Sequence, residues 1–172
     1  KSTNEVIKAV DQYIYGIDDD SFEEKTGELL IQKQLTIGTA ESCTGGYIAH
    51  LLTSVAGSSA YFKGSIVSYA NEVKQDLLHV KKETLQQFGA VSEQTVSEML
   101  SGALQQLKVD VAIAVSGVAG PSGGTAEKPV GTVFIGIATK EKQYIRKLSF
   151  TNNRERNIQL TSVVSLVMLR KF

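Results

Sequence analysis

"LTIGTAESCTGGYIAHLL" (residues 35–52) changes from a β pattern to a helical one within a few residues. Leu35-Thr36-Ile37-Gly38 reads as a strand, and Tyr47-Ile48-Ala49-His50-Leu51-Leu52 reads as a helix. The corner between them holds hydroxyls, a thiol and two glycines. Either the corner is merely tight, or something approaches its backbone closely. A strand feeding a helix is the unit of an α/β fold, and ligands of such folds gather at the carboxyl ends of the strands.

Beyond the corner, strands and helices alternate. The expected strands are 35–40, 65–70, 109–116, 132–139 and 144–150. Helices are expected near 44–55, 72–79, 92–108 and 154–171. Val109 to Val115 is nearly continuous in apolar residues, which suits a central strand covered on both faces. Val96, Met99, Leu100, Ala103, Leu104 and Leu107 form one helical stripe, with Ser92 as its N-cap. The short polar turn Lys140–Gln143 makes the last two strands antiparallel neighbours. The expected fold is a three-layer α/β/α sandwich with a mixed, mostly parallel sheet of about five strands.

Residues 1–34 are charged and helical in pattern, broken at Gly16. Asp18-Asp19-Asp20-Ser21 is read as the cap of a helix carrying Phe22, Leu29 and Leu30, in preference to a metal site.

The chain has 172 residues, 42% of them hydrophobic, which suits one globular domain. Eighteen basic and eighteen acidic side chains cancel, so nucleic acid is not an expected partner. No run reaches the roughly 20 apolar residues of a membrane span, and neither a span nor a signal peptide is expected. One cysteine and two histidines argue against a disulfide or a protein-held transition metal. A cytoplasmic setting, no cofactor and no metal are expected. The first residue, Lys1, is not methionine, so we expect a further domain upstream.

Ten of the fifteen glycines fall in two clusters, Gly38 to Gly64 and Gly117 to Gly131. Ser42 at the first cluster fits two readings. It is a nucleophile presented at the top of a sheet, beside helix N–H groups suited to an oxyanion, or it is an N-cap together with Thr44. A serine nucleophile needs a base, and neither His50 nor His79 has an evident acidic partner. "SYANEVK" places Lys74 in the first turn of a helix, where the dipole disfavours its charge, close after Tyr69. Lys74 is a base if its pKa falls far below lysine's usual value of about 10.4, and a surface residue otherwise. The second cluster, "SGVAGPSGGTAEKPVGT" (116–132), lacks a P-loop's Gly-Lys-Ser/Thr and runs into a strand. A bound anion there would sit in a nest of backbone N–H groups, in a loop stiffened by Pro121 and Pro129.

"TAESCTGG", "GSIVSYANEVK", "GAVSEQTVSEM" and "VSGVAGPSGGTAEKPVGTV", in this order and spacing, resemble the signatures of the C-terminal domain of the CinA (competence/damage-inducible protein) family, the bacterial nicotinamide-nucleotide amidases. The resemblance covers about residues 25–172. It implies deamidation of nicotinamide mononucleotide to nicotinate mononucleotide and ammonia by a serine nucleophile and a lysine base. The family's catalytic positions match Ser42, Lys74 and Tyr69. Its hydroxyl residue in the glycine-loop strand matches Ser116, where many members carry threonine. The substrate is expected to meet Cys43, Thr44, Gly45 and Gly46 at the corner, and Gly117, Ala119, Gly120, Gly123, Gly124 and Arg154 around the loop. Two positions depart from the pattern. Asn152-Asn153-Arg154 replaces the Gly-Asp-Arg common before the last helix, which removes the aspartate that would orient Arg154, and Ser65 replaces a glycine. Residues 1–24 resemble a linker, or helical remnant, from an upstream molybdopterin-binding-like domain. A homodimer is the expected assembly. Two other classes remain at this point: a nucleotide-binding module without turnover, and a Cys43 nucleophile or redox sensor.

Overall fold

Large aliphatic residues alternate with alanine along Val111-Ala112-Ile113-Ala114-Val115, and the alternation divides the molecule into two sides. The computed structural model describes residues 21–172. Its elements are α1 (Phe22–Gln32), β1 (Ile37–Glu41), α2 (Tyr47–Thr53), β2 (Phe62–Val67), α3 (Asn71–Leu78), α4 (Lys82–Phe88), α5 (Glu93–Leu107), β3 (Val111–Gly117), β4 (Thr132–Ala138), β5 (Gln143–Ser149) and α6 (Arg154–Lys171), with a 3-10 turn at Ser58–Ala60. The sheet order is β2-β1-β3-β4-β5. The pairs β2–β1 and β1–β3 are parallel; β3–β4 and β4–β5 are antiparallel. The fold is the expected α/β/α sandwich on a five-stranded mixed sheet, with β4 alone running against the other four strands.

Val111, Ile113 and Val115 pack with Leu30 of α1, Ile48 and Leu52 of α2, and Leu166 and Leu169 of α6. On the opposite face, Ala112 and Ala114 pack with Leu78 of α3 and with Val96, Met99, Leu100 and Ala103 of α5. Small residues on this face let α5 lie close against the sheet. A Cβ on Gly136 of β4 would stand 2.7 Å from Leu100 and 2.8 Å from Val96. Gly102 brings α5 against the end of α3, where a Cβ would strike the Leu78 carbonyl.

The pairing of β1 with β2 contains a bulge. Ile37 pairs with Phe62 and Gly38 with Gly64, so Lys63 is an extra residue on β2. From there the register continues to Glu41↔Val67, and β1 also pairs Glu41 with Val115 of β3. Three parallel strand ends therefore stand side by side, and the next positions on β1, β2 and β3 are Ser42, Ser68 and Ser116.

Several boundaries differ from the sequence reading. The second strand lies at 62–67 and not 65–70, so Tyr69 belongs to the loop before α3. The first corner helix starts at Tyr47, and residues 42–46 form a turn. Helix α4 was not expected; it is short and its only large apolar residues are Leu85 and Phe88. Helix α5 begins after Ser92, whose hydroxyl accepts from the Thr95 N–H as an N-cap. Ser21 caps α1 in a reciprocal pair with Glu24. The aspartates 18–20, the pattern break at Gly16 and most of the linker reading lie outside the described residues. Helix α1 itself runs through position 25, where the domain was expected to begin.

Candidate active site

Ser42 follows the last residue of β1, and its N–H donates to the Val115 carbonyl of β3 at 3.1 Å, so the strand ladder fixes its backbone. Lys74, on the first turn of α3, is 1% exposed. Its Nζ lies 3.2 Å from Ser42 Oγ and donates to the carbonyls of Ser68 at 2.6 Å and Tyr69 at 3.3 Å. Burial lowers the Lys74 pKa below its ordinary 10.5, against smaller opposing effects of Cys43 and Glu72. A neutral amine has two N–H groups and one lone pair. With both N–H groups turned to the two carbonyls, the lone pair is left for the Ser42 hydroxyl.

The corner's N–H groups can be accounted for one by one. Those of Ser42, Gly45 and Tyr47 donate to the carbonyls of Val115, Ser42 and Thr44. Those of Gly46, Ile48 and Ala49 donate to the Glu41 carboxylate at 3.1, 3.1 and 2.8 Å. Cys43 and Thr44 are left: no other described residue accepts from their N–H groups, that of Cys43 lying against its own sulfur. Of the N–H groups expected at the start of a helix 44–55 to serve an oxyanion, that of Thr44 is available, whereas Glu41 takes those at the first turn of α2. The free donors are those of the two residues immediately after Ser42, where hydrolases with a serine at a strand-to-helix turn place one of theirs.

Cys43 points the other way, into the core with Ile48 and Val115. Burial raises its thiol from 9.0 to about 12, which leaves it protonated and weakly nucleophilic. Ser116 is buried, and its hydroxyl donates to the Ala90 carbonyl at 2.7 Å, tying β3 to the approach of α5.

The phenol of Tyr69 does not reach Lys74; only its main-chain carbonyl does. The Tyr69 hydroxyl instead accepts from Arg154 Nη2 at 3.0 Å, and Arg154 Nη1 donates to the Gly120 carbonyl at 2.9 Å. Arg154 is thus oriented by the glycine loop and by Tyr69, without the aspartate of the common pattern. Asn153 takes the N-cap of α6, its Oδ1 accepting from the Arg156 N–H at 2.9 Å. Ser65 also has a place: its hydroxyl accepts from Thr39 at 2.7 Å and lies 3.4 Å from Glu41.

The glycine loop leaves β3 through Gly117, Ala119 and Gly120 and is exposed from Pro121 to Glu127, including Gly123 and Gly124. It folds back so tightly that a Cβ on Gly124 would stand 2.7 Å from the Val130 nitrogen. Asn157, which the sequence reading missed, anchors this arrangement. Its side chain is 1% exposed; Nδ2 donates to the carbonyls of Ala119 and Thr151 at 2.9 and 3.0 Å, and Oδ1 accepts from the Thr151 N–H at 2.9 Å. No pattern in the sequence marks that asparagine. A cleft of about 650 Å³ opens between the loop and α6, bordered by Tyr47, Pro121, Asn152, Arg154 and Ile158. Among the described residues no group of three or more His, Cys, Asp or Glu is placed to hold a metal ion, and no helix is long and apolar enough to cross a membrane.

Residues 19–172 match the model of the CinA C-terminal domain. A CinA-like protein of Cytophaga hutchinsonii is 46% identical over 171 residues, covering 99% of this chain and 41% of that relative. A putative competence-damage inducible protein of Halothermothrix orenii is 44% identical, over 98% of this chain and 42% of its own length. The chain therefore spans about two fifths of these curated relatives. Among solved structures, the competence/damage inducible protein CihA of Agrobacterium tumefaciens superposes with a TM-score of 0.83 at 39% identity, covering 88% of this chain and 96% of that one. A CinA superfamily protein of Escherichia coli gives a TM-score of 0.83 at 31% identity, covering 94% and 96%.

Proposed function

This chain belongs to the CinA C-terminal domain family, and from that premise we propose that it is an amidohydrolase converting nicotinamide mononucleotide to nicotinate mononucleotide and ammonia. The observation that carries the reading is the buried Lys74 amine 3.2 Å from Ser42 Oγ, the one lone pair it would have free in its neutral form directed there by two carbonyls. A buried lysine depressed in pKa beside a serine hydroxyl is a means of making a nucleophile.

In the proposed reaction the neutral amine takes the Ser42 proton as Oγ bonds to the carboxamide carbon. The carbonyl oxygen gains the negative charge and meets the free N–H groups of Cys43 and Thr44. The Lys74 ammonium returns the proton to the amide nitrogen, the C–N bond breaks and ammonia leaves. Water then attacks the acyl ester with Lys74 again as base, giving the carboxylate and restoring Ser42. Tyr69 contributes its carbonyl to Lys74 and its phenol to Arg154; we assign it no proton transfer. Arg154, the glycine loop and the neighbouring cleft are the proposed seat of the nucleotide's ribose and phosphate.

Incubation of the purified chain with nicotinamide mononucleotide and a chelator, with ammonia and nicotinate mononucleotide both measured, tests the reading. Stoichiometric release of the two is expected. Binding of the nucleotide with no release would select the non-catalytic module instead.

A further inference from the structure

The steps above leave Glu41 unused, yet it is wholly buried with six donor groups within hydrogen-bond distance, the single Thr39 proton being shared between Glu41 and Ser65. Three donors are the N–H groups of Gly46, Ile48 and Ala49. The others are the hydroxyls of Thr44 at 2.7 Å, Thr39 at 3.1 Å and Ser65 at 3.4 Å. Every neighbour in this cage donates, so it is built for a group that only accepts. An ordinary helix cap is a residue next to the helix that satisfies one N–H. Glu41 instead reaches from the last position of β1, across Ser42 and Cys43, to the far side of the turn.

That reach has a specific result. The bonds to Thr44 Oγ1 and the Gly46 N–H clasp the turn shut over the two residues whose N–H groups are free. We infer that Glu41 is a positioning residue for the acyl-transfer corner, holding the Cys43 and Thr44 N–H groups where the oxyanion of the Ser42 adduct forms. The inference rests on Ser42 as the nucleophile and not on which amide is cleaved. By taking the leading N–H groups of α2, Glu41 also removes them as a rival seat for the anion.

A fluorophosphonate probe tests this without reference to the natural substrate. Ser42 Oγ bonds to phosphorus as the P–F bond breaks, fluoride leaves, and the serine proton passes to Lys74; the phosphoryl oxygen takes the oxyanion's place. Labelling at Ser42 is followed by intact mass and peptide mapping, at a temperature where circular dichroism reports each variant folded. Glu41→Gln, which sets an amide NH2 among donors, is expected to slow labelling by about 100-fold, the scale of a misplaced reacting group. Thr44→Val removes only the 2.7 Å clasp bond and is expected to slow it by about tenfold, since one of the two donors is still held in part by the Gly46 bond. Thr44→Ser, which keeps the hydroxyl, should recover most of that loss. A purely structural cap would lower the melting temperature and leave labelling per folded molecule at the parental rate. That result in Glu41→Gln and Thr44→Val, with the parent labelled at Ser42, overturns the role of Glu41 alone. If Glu41→Gln does not fold, Thr44→Val and its serine rescue decide. A parent that is not labelled at Ser42 overturns the nucleophile, and the inference with it.

Discussion

Replacing Lys74 with arginine separates a base from a mere positive charge. Arginine keeps the charge and has five donors, but it has no lone pair to offer Ser42 and stays protonated in proteins. In the parent, Nζ meets three oxygens at 2.6, 3.2 and 3.3 Å, two of them carbonyls that accept from it. A guanidinium would donate to all three and leave the serine proton without a receiver, because Ser42 is only 9% exposed and water is a poor substitute. Loss of a positioned base lowers kcat by about 10²- to 10⁴-fold. The parent rate should rise with pH through a pKa below 10.5, the direction in which burial moves Lys74. The same shift has a stability signature. With the folded-state pKa lowered, the unfolded chain binds the extra proton between that pKa and 10.5, so stability rises with pH across the interval. Its slope is at most about 1.4 kcal/mol per pH unit. Below the folded pKa the ammonium's burial penalty is fully present. Lys74→Met should abolish both the rate profile and this slope. The assay is ammonia release from pH 6 to 10 beside urea melts at matched pH. Activity of Lys74→Arg within about tenfold of the parent would refute the serine–lysine mechanism, even with deamidation established.

Ser42→Ala should eliminate turnover while nucleotide affinity measured by calorimetry stays within a few-fold, because a nucleophile contributes little to ground-state binding; retained turnover would remove Ser42 from the chemistry. Arg154→Ala should mainly raise KM for the mononucleotide, as loss of a contact remote from the reacting carbonyl does, and an unchanged KM would leave phosphate to the glycine loop alone. Iodoacetamide at pH 8 should not modify Cys43 until the protein is unfolded, given a buried thiol with a pKa of about 12; rapid labelling of the folded chain would contradict that burial. Gly102→Ala, whose Cβ meets the Leu78 carbonyl, should destabilise the fold by about 1–3 kcal/mol in urea denaturation, whereas a neutral result would mean that α3 and α5 separate freely.

What the sequence made legible follows how local the determining physics is. Helix α6 was read to its ends, 154–171, although its capping asparagine, Asn153, was identified only in the folded chain. The central strand β3 was read because its side chains are apolar on both faces. Helix α4 escaped because seven mostly polar residues with two large apolar positions carry too little period. β2 was placed three residues late because the bulge at Lys63 and the glycine at 64 weaken its start, while Tyr69 extends its apparent β character. The pairing of Ser42 with Lys74 spans 32 positions and was reached through family resemblance, not spacing. The bond from Arg154 to Tyr69 spans 85, and nothing local announces it. From the sequence alone Glu41 does no more than orient the corner or cap a helix, since a cage of donors drawn from two strands, a turn and the start of α2 exists only after folding.

Beyond the bulge at Lys63, the count of residues on β2 sets a distance that matters some ten residues later. From Gly64 to Val67 each residue pairs with one of β1 without another irregularity. Deleting the exposed Lys63 would only turn a two-against-one pairing into a regular one, with Gly64 still opposite Gly38. Deleting a residue between Gly64 and Val67 would instead draw the strand end along by roughly 3.3 Å and exchange its two faces. The Ser68 carbonyl, which now closes on Lys74 Nζ at 2.6 Å, would then turn away, and the helix that follows would bring a different residue to Ser42. The paired stretch after the bulge thus acts as the spacer between nucleophile and base, and this edge is expected to accept the loss of residue 63 but no change in the number of residues between 64 and 67.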